Sequence, residues 1–353
     1  MITPSPFSRK TGRRAFLTGG TAALGMAMLP ARARAAQGDL VVSNWGGSWN
    51  DYMYDSFEKA AFDNSGVTLV KDLAPVSERK TRLLAERRLP RSSVDLTWLS
   101  DSDAFELNDQ NVLEEIDYSL LSNAENIVPQ LRTPYYVPAI YGATVVLYNP
   151  NTITTVPTSF ADLWNPEYKG RVGLYDQVYF NYIYAAALVA GGDLSNVEPA
   201  FAKLMEMKET VQPRLYPSHD ALAAAFENGE IDISANYSAR AQLWKANGLP
   251  VEMAYPSEGA LGISFGVGVP KKSANREAAY AYLNAMLEPE GMANIARKTF
   301  YSVATTDAAL TDAERGQLEF TDDQKAKLHF VDYAYAAEND SAWLDWWNKE
   351  FKG

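Results

Sequence analysis

Along residues 40–300 of this 353-residue chain, short apolar runs alternate with amphipathic stretches, and no other feature constrains the fold as tightly. Brief apolar runs read as strands, and apolar residues recurring every three or four positions read as helices facing a core. Strands are predicted at 40–44, 67–72, 94–99, 141–148, 170–175, 231–235 and 262–269. Helices are predicted at 49–63, 77–88, 103–108, 179–189, 221–228, 239–247, 275–287 and 289–298, and the tail from Ala308 onward reads as helical throughout. Such alternation specifies an α/β protein. Two runs depart from it. Residues 141–148 and 262–269 are long, carry Gly142, Gly266 and Gly268, and have no helix directly after them. Glycines in a strand allow close backbone approach or bending. The pair predicts a chain crossing more than once between two lobes. On that reading lobe 1 comprises 36–145 with about 262–305, and lobe 2 comprises 146–261 with about 306–353. The alternative is two ordinary core strands of a single domain.

The first 35 residues read as an export signal. Arg9, Lys10, Arg13 and Arg14 precede a short apolar run, 15–29, and Ala33-Arg34-Ala35 offers a small-x-small cleavage site. Arg13-Arg14-Ala15-Phe16-Leu17 resembles a twin-arginine signal, which implies export of a folded protein to the periplasm. The run falls short of the ~20 residues that a spanning helix needs. The whole chain carries a formal charge of −12, and the first 35 residues hold six cations and no acid, so the remainder is more acidic still. That field disfavours nucleic acid, whose phosphates require clustered cations. It would attract a cationic ligand, and it equally serves solubility. The chain has no cysteine and two histidines, His219 and His329, which removes thiolate chemistry and leaves no recognisable metal set or cofactor motif.

Four strand-to-helix junctions share one design: an apolar strand, a small or polar turn, then a helix start. In open α/β sheets these turns lie at the carboxyl edge of the strands, where ligands bind. The first is Asn44-Trp45-Gly46-Gly47-Ser48-Trp49: paired glycines bring backbone amides close, Ser48 caps, and Trp45 covers a ligand face. The second holds Ser100, Asp101 and Ser102, which compete for the cap. In the third, Asp176 either caps or holds an ammonium group. The fourth, Asn236-Tyr237-Ser238-Ala239-Arg240, makes Ser238 a cap and places Arg240 in the first helical turn. A cation there opposes the helix dipole, so a carboxylate must compensate it, from the ligand or from the protein. Two other patterns point elsewhere. Gly262-Ile263-Ser264-Phe265-Gly266 matches a nucleophile elbow, but strand continues after it to Pro270, whereas the elbow requires a strand–turn–helix. Ser218-His219-Asp220 places triad residue types side by side, but a helix start after Pro217 explains its Ser and Asp as caps. A secreted hydrolase is thereby disfavoured.

The wording of several segments carries a resemblance. Tyr141-Gly142-Ala143-Thr144, the run Phe160-Ala161-Asp162-Leu163-Trp164 followed by Pro166-Glu167-Tyr168-Lys169-Gly170, Tyr255-Pro256-Ser257-Glu258-Gly259, and 275–289 are similar to the periplasmic polyamine-binding proteins of ABC transporters. The resemblance runs from about Leu40 to about Leu310. It implies a type II-like periplasmic binding fold of two α/β lobes closing on a small ligand, and delivery to a membrane permease by a non-enzymatic, monomeric carrier. It implies that Trp45 stacks on ligand, that Ser100 lies near a polar contact, that Asp176 meets an ammonium group and that Tyr301 is an aromatic contact. The chain departs from the family at three places. Ile263-Ser264-Phe265 stands where the family has Trp-x-Asp, Tyr179 stands where it has an acid, and Ala235 replaces a tryptophan before Asn236. A polyamine needs carboxylates along its length, because a buried ammonium without a partner is costly. The departures therefore favour an amino acid, a γ-amino acid or an opine-like conjugate, with a true putrescine or spermidine carrier as the alternative and a ligand-dependent sensor also compatible. The expected contacts are Trp45, Gly46, Gly47, Ser48, Ser100, Asp101, Asp176, Tyr179, Asn236, Tyr237, Arg240, Ser264, Phe265 and Tyr301.

Overall fold

The computed structural model describes residues 38–353; the expected export signal and its cleavage site lie outside them. Ten strands form one sheet. They are β1 (Gly38–Asn44), β2 (Val67–Leu73), β3 (Leu96–Ser100), β4 (Val137–Tyr148) and β5 (Val172–Tyr175), then β6 (Arg214–Tyr216), β7 (Ile233–Tyr237), β8 (Glu252–Ala254), β9 (Leu261–Gly268) and β10 (Ser302–Val303). The order is β2-β1-β3-β9-β4-β7-β5-β6, with β8 and β10 both pairing on β4. Two parallel groups, β2-β1-β3 and β7-β5-β6, flank the antiparallel pair β9-β4.

The middle strands do what their length and glycines suggest. β4 pairs with β9 through its first two-thirds and with β7 through its last five residues, while the far end of β9 pairs with β3. Every residue of β4 is buried. At Gly266 a Cβ would sit 2.2 Å from the carbonyl oxygen of Val137, opposite a register shift between Pro138 and Ile140, so only glycine lets the strands approach this closely. Ser264 lies buried inside β9 rather than exposed on a turn, so the elbow pattern at 262–266 is a strand.

Thirteen α-helices cover the sheet among the described residues. They are α1 (Ser48–Met53), α2 (Lys59–Phe62), α3 (Val76–Glu86), α4 (Asp101–Asp109), α5 (Tyr179–Val189), α6 (Glu198–Thr210) and α7 (His219–Glu227). After them come α8 (Ser238–Ala246), α9 (Arg276–Met286), α10 (Pro289–Thr299), α11 (Asp312–Leu318), α12 (Asp322–Ala326) and α13 (Tyr333–Trp346). A π-helical segment, Tyr54–Glu58, joins α1 to α2, so the predicted helix at 49–63 is continuous in space but wound differently at its centre. The segment at 160–164 is a 3-10 helix closed by a capping box between Ser159 and Asp162. The tail from Ala308 is broken into α11, α12 and α13, because capping boxes at Thr311 and Thr321 start new helices. No helix among the described residues is long and apolar enough to cross a membrane.

Two large cores result. One gathers β5, β7 and the later half of β4 with α5, α6 and the tail residues Trp343, Trp347 and Phe351. The other gathers β1, β3 and the start of β4 with α9 and α10.

Candidate functional site

A cleft of about 610 Å³ opens where the β1–α1, β3–α4, β5–α5, β6–α7 and β7–α8 junctions meet strand β9. One wall is aromatic. Gly47 takes a positive φ of 64°, a turn that favours glycine, and so brings Trp45 and Trp49 together. Their rings meet edge to face at 5.3 Å, Trp45 meets Phe265 at 5.9 Å, and Phe265 meets Tyr301 at 5.5 Å. Such T-shaped contacts add about 0.5–1.5 kcal/mol each beyond burial. Behind Trp45 the buried Arg79 guanidinium stands 5.0 Å from the ring centroid and donates to the Trp98 carbonyl at 2.8 Å and the Ala74 carbonyl at 3.0 Å. Burial pushes its pKa down to about 10, so it remains a cation that braces the turn. Tyr301 enters because Phe300, the cap of α10, adopts a left-handed φ of 60°, and because Gly142 leaves room: a Cβ there would lie 2.9 Å from the Tyr301 ring.

The opposite wall is polar. Tyr175, His219, Tyr237 and Arg240 line it. Arg240 sits in the first turn of α8, half-buried, and its buried Nε has no hydrogen-bond partner among the described residues. The cleft's other charged residue, Asp103, is already engaged: Lys80 lies 2.9 Å from it and Ser100 Oγ donates to it at 2.6 Å. His219 packs on Tyr175 with ring centroids 4.3 Å apart. Burial, with Arg240 nearby, pushes its pKa down to about 3, so the ring is neutral at physiological pH.

Eight of the expected contacts line this cleft: Trp45, Gly46, Ser48, Ser100, Tyr237, Arg240, Phe265 and Tyr301. The other six do not, and each has a physical reason. Gly47 supplies only the turn. Asp101 is buried behind Ser100, where its carboxylate accepts from Ser264 N–H at 2.8 Å and Ser102 N–H at 2.9 Å and takes a hydrogen bond from Tyr333. Burial pushes its pKa up to about 6 despite those donors. Ser264 shares that network and also bonds Tyr136, so it is not free to meet a ligand. Asp176 accepts from Trp347 Nε1 at 2.8 Å and pairs with Lys352 at 2.7 Å; the tail, not a bound ammonium group, satisfies it. Tyr179 donates to Asp340 of α13. Asn236 is buried and holds His219 from behind. Two caps also differ. Gly47 and Tyr237 take the N-cap positions expected of Ser48 and Ser238, and Ser238 Oγ instead accepts from Ala143 N–H.

His219 is the polar wall's contribution that the sequence did not disclose. Its junction follows β6, a strand of three residues, too short to register as an apolar run. The available signal was Ser218, which does cap α7 by accepting from Ala221 N–H.

Residues 52–347 match the family of bacterial extracellular solute-binding proteins. The chain belongs to that family. A spermidine/putrescine-binding periplasmic protein of Salmonella typhimurium is 24% identical over 306 residues, covering 83% of this chain and 84% of the relative. Among solved structures, an ABC transporter protein from Clostridium perfringens superposes with a TM-score of 0.76 at 24% identity, covering 88% of this chain and 99% of its own. A periplasmic binding protein from A. tumefaciens R10 in complex with agropinic acid superposes with a TM-score of 0.69 at 20% identity, covering 90% and 100%. The fold is the two-lobed one of periplasmic binding proteins, and the chain is a solute-binding protein of the ABC importer family, whose members bind small ligands and hand them to a membrane permease.

Proposed function

We propose that this protein works in the periplasm as the monomeric, non-enzymatic carrier of a small solute that bears a carboxylate, and that it closes two lobes over it. In this reading lobe 1 is 36–145 with about 262–305, lobe 2 is 146–261 with about 306–353, and the first 35 residues direct export through the twin-arginine route. Arg240 carries the proposal. Arg240 lines the cleft and its buried Nε has no hydrogen-bond partner among the described residues, while the cleft's acid, Asp103, is neutralised by Lys80. A half-buried cation in the first turn of a helix, opposed by the dipole, is stabilised by an incoming carboxylate. The solute's apolar or ammonium portion then packs against Trp45, Phe265 and Tyr301.

A polyamine carrier is the second reading, favoured by the Salmonella relative. The cleft argues against it, because none of its lining residues offers a free carboxylate to an ammonium group. γ-Aminobutyrate and putrescine separate the two readings, since they share a four-carbon chain and differ in one terminus. In a thermal-shift screen that also holds spermidine, amino acids, opines and dicarboxylates, a carboxylate-bearing solute should raise the midpoint. A hundredfold excess over Kd adds about 2.7 kcal/mol to the native state. Arg240→Ala should weaken that binding at least tenfold, as hydrogen bonds to charged groups contribute about 1.5–3 kcal/mol. The reading fails if only putrescine or spermidine raises the midpoint, or if Arg240→Ala leaves carboxylate binding intact.

A further inference from the structure

The cleft's polar wall holds a second free donor beside Arg240, and its identity follows from the hydrogen bonds behind it. Asn236 Oδ1 accepts the Tyr237 N–H at 2.8 Å, which fixes the orientation of the amide. Its Nδ2 is therefore the atom facing His219 Nδ1, at 3.2 Å. An amide nitrogen only donates, so Nδ1 must be the acceptor, and the neutral imidazole carries its single proton on Nε2. Tyr175 and Tyr237 flank the ring, with centroids at 4.3 and 5.8 Å. The ring lines the cleft with Arg240, and among the described residues only Nδ1, not Nε2, has a hydrogen-bond partner. The cleft lining thus holds two N–H donor groups, one on a neutral ring and one on a cation close enough to lower that ring's pKa.

We infer that His219 Nε2–H and Arg240 form one anion subsite that receives the two oxygens of a ligand carboxylate, with Asn236 as the residue that positions the imidazole. This deepens the carboxylate reading and rests on it. Two N–H donor groups lining one cleft suit a planar carboxylate and disfavour an ammonium group, so the subsite sets which end of a zwitterion lies here. The amine end is then left to the aromatic wall of Trp45, Phe265 and Tyr301, where a cation meets ring faces. His219 is fixed before the ligand arrives, so little freedom is lost on binding.

The chain's two histidines make a direct test practical. Protein labelled with 15N at histidine and arginine is titrated with acetate, the minimal carboxylate, and in parallel with inorganic phosphate; His219→Gln assigns the ring signals. The expected result is a bare Nδ1 and a protonated Nε2 at His219, acetate shifting both His219 Nε2–H and Arg240 Nε–H, and an acetate affinity about tenfold weaker in His219→Ala, read at Arg240. His219→Gln, which keeps an N–H donor, should recover part of that loss. A proton on Nδ1 would overturn the subsite. Acetate moving Arg240 but not His219 would also overturn it while leaving the carboxylate reading standing. A silent response at both residues would remove the two together. Phosphate binding more tightly than acetate would reassign the subsite to a phosphoryl group and overturn the carboxylate assignment.

Discussion

Burial disfavours the charged form of both Asp101 and His219, and of these two only His219 lines the cleft. Asp101 is sealed between α4, β9 and Tyr333, and burial raises its pKa from the ordinary 3.8 to about 6. The native protein therefore binds this proton more tightly than the unfolded chain. The resulting stability is fully present below about pH 4 and is lost as pH rises through 6. Asp101→Asn removes the titration. The difference in urea-unfolding free energy between the wild-type and Asp101→Asn proteins should shift against the wild type between pH 4 and pH 7; a difference that stays flat across that interval contradicts the burial argument. Much of the site could be read from single residues. Trp45 and Arg240 stood out by type and by their place at strand-to-helix junctions, whereas Phe265 and Tyr301 entered through the family resemblance. What could not be read was the occupancy of each polar side chain. Asp176 and Asp101 have the composition of ligand contacts, yet the partners that satisfy them, Lys352, Trp347, Ser264 and Tyr333, lie from 163 to 232 residues away in sequence. Adjacency in sequence carries no trace of such pairings.

At the scale of elements, local signals were dependable where they were local. The caps at Ser100 and Ser218 start helices by accepting backbone N–H groups three residues on, and the alternation of strand and helix follows from periodicity alone. The short strands β6, β8 and β10 escaped notice because two or three residues carry no period. The tail was legible as helix but not as core. Among the tail's aromatics, Trp347 is almost fully buried, stacking on Tyr182 at 6.0 Å and on Phe351 at 4.2 Å while its indole N–H holds Asp176. A C-terminal segment that reads only as helix therefore closes one of the two cores. Trp347→Ala should cost about 3–5 kcal/mol by leaving a cavity, and it also removes one of the two donors to Asp176, leaving Lys352. Its urea midpoint should fall well below that of the wild type. A loss under 1 kcal/mol would mean that α13 and the residues after it are not part of the cooperative unit.

For the molecule as a whole, net charge and cleft charge point in opposite directions, and this opposition separates the two ligand classes. The chain carries −12 overall, a field that draws polyvalent cations toward the surface and speeds their arrival. The cleft itself ends in an unpaired cation and a neutral imidazole, which repel them at the last step. A zwitterion feels little of the long-range field, because its two charges nearly cancel at distance, yet it can satisfy Arg240 on arrival. Its association rate should therefore be almost independent of ionic strength. A polyamine drawn in by the surface field should bind several-fold more slowly as salt rises from about 0.01 M to 0.5 M, a range over which the screening length falls from about 30 Å to under 8 Å. Trp45 and Trp49 in the cleft wall supply the fluorescence signal for stopped-flow measurement. A flat salt profile for the solute that raises the thermal midpoint supports a neutral, carboxylate-bearing cargo. A steep decline would assign the protein to polycations, and with them Arg240 would have to be turned away from the bound ligand.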